Sequence, residues 1–67
     1  MEEKTLRELK RGEWFTLKAI EEPDEMQVWV KDHYNRDEKT FTCHCFGDVN
    51  KERFFKASKK VCTGFTF

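Results

Sequence analysis

Sixty-seven residues suffice for one domain, spanning residues 1–67, with one small core. Thirteen basic side chains balance thirteen acidic ones, so the chain has no general attraction for nucleic acid or an anionic membrane, although a local patch is still allowed. No apolar run approaches the ~20 residues that a membrane helix needs, and the acidic start Met1-Glu2-Glu3-Lys4 lacks the apolar segment of a secretory signal, so the expectation is a cytoplasmic protein with no membrane contact.

Thr5-Leu6-Arg7-Glu8 has the form of a capping box, in which Thr5 and Glu8 satisfy each other's backbone N–H groups. Leu6 and Leu9 share one side of a short helical turn over residues 5–11, and Gly12 can take the left-handed conformation that ends it. Residues 1–4, polar and ahead of the cap, are expected to contribute little. From residue 14 to 20 the chain alternates, with Phe15, Leu17 and Ala19 on one face and Trp14, Thr16 and Lys18 on the other, and this reads as the first strand. Glu21-Glu22-Pro23-Asp24-Glu25 then stops any strand and reads as a solvated turn.

Residues 27–46 organise the rest. Two runs rich in β-branched and aromatic residues flank the polar link Asn35-Arg36-Asp37-Glu38, the pattern of a β-hairpin. Val28, Val30 and Tyr34 have one parity, and Phe41, Cys43 and Cys45 have one parity on the return strand. A register that joins the two sets on the core side sets Tyr34 opposite Phe41 and Val30 opposite Cys45 or Cys43. Gly47-Asp48-Val49-Asn50 reads as a turn, residues 52–56 as a strand with one of Phe54 and Phe55 in the core, and residues 61–67 as the last strand. In that strand Cys62 opposes the Phe65 face and is expected to be more accessible than Cys43 and Cys45.

Three cysteines, an odd number, argue against a closed disulfide framework and for reduced thiols. Cys43-His44-Cys45 places one residue between the thiols, and on a strand His44 points away from both. The set therefore suits neither structural zinc, which takes four convergent ligands, nor a Cys–His nucleophile pair. With no Gly-rich phosphate loop or nucleophile elbow in the chain, the expectation is no enzyme, no metal and no cofactor. The face opposite the expected hairpin core carries Trp29, Lys31 and His33 on one strand and Thr42, His44 and Phe46 on the other. Trp29, Lys31, His33, His44 and Phe46 are the candidate binding residues. Aromatics of this kind anchor protein partners. With the lysine-rich turns at Lys51, Arg53, Lys56, Lys59 and Lys60 they would also suit single-stranded nucleic acid.

Leu9-x-x-Gly12-Glu13-x-Phe15-x-Leu17, Val28-Trp29-Val30, Tyr34-x-Arg36, Phe41-x-Cys43, Asp48-Val49-Asn50 and Phe65-x-Phe67 give the chain a resemblance to a set of short bacterial proteins of uncharacterised function. The resemblance implies a stand-alone β-rich domain and brings no catalytic residues with it. The pattern of elements points to a mainly β fold, either a small, strongly bent five-stranded antiparallel sheet or an SH3-like barrel, with a short N-terminal helical turn. The expected role is a non-catalytic binding or accessory module for a protein partner, self-association included, with single-stranded nucleic acid as the alternative.

Overall fold

A computed structural model describes residues 2–65. Among them the chain forms six strands: β1 (Glu2–Thr5), β2 (Trp14–Phe15), β3 (Trp29–Asn35), β4 (Thr40–Cys45), β5 (Glu52–Lys56) and β6 (Lys60–Thr63). They make two antiparallel sheets, one in the order β2-β3-β4-β5 and one of β1 with β6. The sheets meet where Thr16 and Cys62 exchange backbone hydrogen bonds, each 2.9 Å long. The fold is thus mainly β, but it is not the expected single five-stranded sheet. Among the described residues the barrel does not close.

The two ends of the chain account for much of the difference. Of residues 1–4, expected to contribute little, residues 2–4 instead pair with β6 together with Thr5, from Glu2 opposite Thr63 to Thr5 opposite Lys60. The sequence hides this because an edge strand with one solvated face needs no apolar alternation. The capping box forms, with the Glu8 carboxylate accepting from the Thr5 backbone N–H and hydroxyl at 2.9 Å each. It starts only a single 3-10 turn, Leu6–Glu8, instead of a helix to residue 11. The two leucines are nonetheless buried as expected, and Gly12 takes a left-handed φ of 91°. The first expected strand, residues 14–20, shrinks to Trp14–Phe15 and the Thr16 bridge. Leu17 still packs against the core. Within the acidic segment a second 3-10 turn, Glu25–Gln27, forms behind Asp24, whose N–H donates to the Gln27 side chain at 2.9 Å. The last strand occupies Lys60–Thr63; the expected continuation through Thr66 and Phe67 lies outside the described residues.

The core gathers Leu6, Leu9, Phe15, Trp29, Cys43, Cys45 and Val61, with Phe41 and Phe55 packed against it. Phe55 meets Phe15 and Trp29 edge to face, with ring centres 6.3 and 5.9 Å apart. Edge-to-face contact suits the opposed charge of ring faces and edges. Phe54, its neighbour, points out and is 56% exposed, as alternation requires. All three cysteines are free and buried. Cys62 keeps 9% exposure against 0% for Cys43 and Cys45, the order that parity suggested, although its strand pairs with β1 on one edge and with Thr16 on the other.

The hairpin register changes partway along. Tyr34 stands opposite Phe41, as expected, but Trp29 faces Cys45, Val30 faces His44 and Lys31 faces Cys43. Between these stretches two residues, Asp32 and His33, oppose the single Thr42, which is a β-bulge. The bulge moves β3 by one residue, so the alternation read from the tip is inverted at the root. Trp29 and Lys31 face inward there, and Val30 faces outward.

Candidate interaction face

The bulge divides the candidate residues between two faces. Trp29 is 4% exposed and Lys31 5%, so both belong to the interior and neither is available to a partner. The Lys31 ammonium donates to the Leu9 carbonyl and lies 4.0 Å from the centre of the Phe41 ring. Burial pulls its pKa down, against the attraction of Cys43 and Glu13. Lys51 and Arg53 cover the Trp29 ring at 5.8 and 5.7 Å, which seals it further.

His33, His44 and Phe46 do reach the outer face of the four-stranded sheet. Registers carry a row across it: Trp14 opposite Val30, Val30 opposite His44 and His44 opposite Glu52. Trp14, 43% exposed, and Phe46, 39% exposed, touch edge to face with ring centres 5.0 Å apart. Trp14, on the edge strand β2, is the exposed tryptophan of this face that the sequence had suggested in Trp29. Its parity opposite Phe15 was the signal available for it.

Asp32 ties the polar part of the face together. Its Oδ1 is 3.0 Å from an Arg11 terminal nitrogen and 3.2 Å from Arg11 Nε. The same carboxylate lies 3.7 Å from His33 Nδ1 and 3.8 Å from His44 Nδ1. Partial burial pushes its pKa up, but the Arg11 hydrogen bond and charge, with the two imidazoles, hold the carboxyl below the ordinary range. Beside it, Thr42 Oγ1 accepts from the Asn35 amide at 2.7 Å and lies 3.4 Å from His33 Nε2. Asp32 thus neutralises Arg11 on this face.

The thiols are placed for packing. Cys43 is fully buried on the face opposite His44. Burial pushes its thiol up to about 11, outweighing the Asp32 backbone N–H and the Lys31 charge, which favour the thiolate. A thiol held protonated is a poor nucleophile and a poor metal ligand. Among the described residues no three His, Cys, Asp or Glu side chains form a group that could hold a metal ion.

Of the basic turn residues, Lys56 lines a cleft of about 390 Å³ at the hairpin tip, with Arg7, Tyr34, Glu38 and Lys39. This cleft is separate from the Trp14–Phe46 pair. No helix among the described residues is long and apolar enough to cross a membrane. Comparison with family models, with curated proteins and with solved structures finds no match.

Proposed function

We propose that this chain is a non-catalytic binding module that docks a partner protein on the outer face of its four-stranded sheet, with Trp14 and Phe46 as the anchor. The observation that carries the reading is the exposed Trp14–Phe46 pair beside Val30 and His44, on a face where Asp32 pairs with Arg11. Aromatic anchors ringed by polar groups supply most of the energy at protein interfaces. The inert, buried Cys43 supports a binding role over a catalytic one, and three unbridged thiols fit a reducing cytoplasmic setting. A second reading, single-stranded nucleic acid, draws on the Arg7, Lys39 and Lys56 cleft beside Tyr34, where a base could stack and phosphates find cations.

Salt separates the two, because phosphate contacts weaken steeply with ionic strength and apolar anchoring does not. The test is capture from lysate, with a labelled single-stranded oligonucleotide added, by the immobilised parent and by Trp14→Ala, washed at about 0.05 and about 0.5 M salt. The substitution removes one surface ring pair, worth about 1 kcal/mol, so it should fold. A protein retained through the high-salt wash and lost with Trp14→Ala is expected. Retention equal on both proteins, or only of an oligonucleotide released by salt, refutes the anchor.

A further inference from the structure

A different feature, independent of the Trp14 face, concerns the edge of the same sheet. β5 is the last strand of its sheet, and among the described residues no strand pairs with its outer edge, where only the Lys56 carbonyl is engaged, by the Lys59 N–H of the next turn. Four of its five residues are exposed. An open edge is a template for another strand, and proteins usually blunt it. Here no proline, bulge or covering loop does so.

The direction of the backbone groups along β5 follows from its neighbours. Cys45 N–H donates to the Lys51 carbonyl, and Phe46 N–H donates to Val28. Odd-numbered residues of β4 therefore bond to β5, and even-numbered ones to β3. In an antiparallel ladder the bonded pairs alternate. With Cys43 opposite Arg53 and Phe41 opposite Phe55, Arg53 and Phe55 spend their N–H and C=O groups on β4. Glu52, Phe54 and Lys56 then direct theirs to the open edge.

That edge is complementary to itself. A second β5 laid antiparallel with Phe54 opposite Phe54 brings Glu52 opposite Lys56 and Lys56 opposite Glu52. All three pairs fall on residues whose backbone groups point to the edge; the Lys56 carbonyl also accepts from the Lys59 N–H at 2.9 Å, and its second lone pair serves the contact. Their side chains share the outer face, since Glu52, Phe54 and Lys56 stand opposite His44, Thr42 and Thr40. A slip of one residue mismatches the hydrogen-bonding phase. A slip of two in one direction sets Arg53 against Arg53; in the other it loses both Glu–Lys pairs. One register satisfies hydrogen bonding, charge and two-fold symmetry together, as an isologous contact must.

We propose that the chain forms a symmetric homodimer by pairing β5 with β5 of a second copy, centred on Phe54, so that two four-stranded sheets become one continuous sheet. The contact is short, and the dimer belongs to the weak, reversible class of interface.

Charge reversal tests the register. Glu52→Lys faces two lysines across the contact and Lys56→Glu faces two carboxylates, so each alone should dissociate more readily, by about tenfold, since cross-strand charge pairs are worth up to ~1 kcal/mol each. The double variant, and a mixture of the two single variants, regain opposite charges at both ends and should associate like the parent. Sedimentation equilibrium over a range of concentrations reads all four samples. Amide hydrogen exchange on the parent gives a check that needs no variant: protection at Phe54 should rise with concentration, while that at Arg53 should not. A parent that stays monomeric into the millimolar range overturns the proposal. So do single variants that associate as the parent does, or a mixture that fails to recover.

Discussion

Raising the pH should weaken this fold through one thiol. Cys43 holds its proton to about 11 in the fold, against 9.0 for an ordinary thiol. Between those values the unfolded chain releases a proton that the folded chain keeps, so stability falls as pH rises through the window. Two units at about 1.4 kcal/mol each make a loss on the order of 3 kcal/mol, comparable with the ~3–5 kcal/mol that a core this small supplies. Lys31 works in the opposite sense. Its folded pKa is lowered, so the folded state sheds its proton first and stability is regained as pH rises toward the ordinary lysine value. The parent therefore shows the difference of the two effects, and Cys43→Ala shows the lysine effect without the thiol. Urea unfolding followed by tryptophan fluorescence, at about pH 8 and about pH 10.5, measures both proteins. The gap between parent and variant should shift by about 2 kcal/mol against the parent over that range. Parallel curves would mean that Cys43 titrates as freely in the fold as out of it, and that its burial is wrong.

Two further changes probe the edges of the fold. Deleting residues 2–5 removes all of β1 and its pairing with β6; a loss of about 2–3 kcal/mol, or a melting temperature lower by roughly 10–20 °C, is expected by calorimetry, and an unchanged melt would show that β1 is dispensable. Thr40 Oγ1 is buried without a hydrogen-bond partner, so Thr40→Val should be neutral or stabilising by up to about 1 kcal/mol in urea unfolding, and clear destabilisation would reveal a partner for that hydroxyl.

Alternation in the sequence was enough to find β5, the central hairpin, the tip pairing of Tyr34 with Phe41 and the division of labour between Phe54 and Phe55. It failed where a local irregularity reset the count. Nothing in Lys31-Asp32-His33-Tyr34 marks a bulge, because no glycine or proline stands there. The extra residue is set by what the two halves of the hairpin turn inward: Trp29 at the root and, at the tip, Phe41, which packs against the core. The misreading of Trp29 and Lys31 as surface residues follows from that one position. Lysine also reads as exposed by default, whereas here its stem crosses the interior to a carbonyl. Trp14 was visible as an outward residue, but its pairing with Phe46 is a contact between distant strands. β1 was invisible for a simpler reason, since its partner, not its composition, makes it a strand.

The bulge at Asp32 and His33 also governs which changes of length the hairpin can absorb. Removing one of the two residues would give β3 a single phase, and one half of the hairpin would have to turn over. At the root, reversal would expel Trp29 from between Phe55 and the Lys51 and Arg53 stems and break its ladder with β2. At the tip it would cost the tilted contact of Tyr34 with Phe41, 4.9 Å between ring centres, where Tyr34 is already half exposed. The tip yields first. Insertions and deletions in this hairpin should thus be drawn toward residues 32–39, and the root should keep its length.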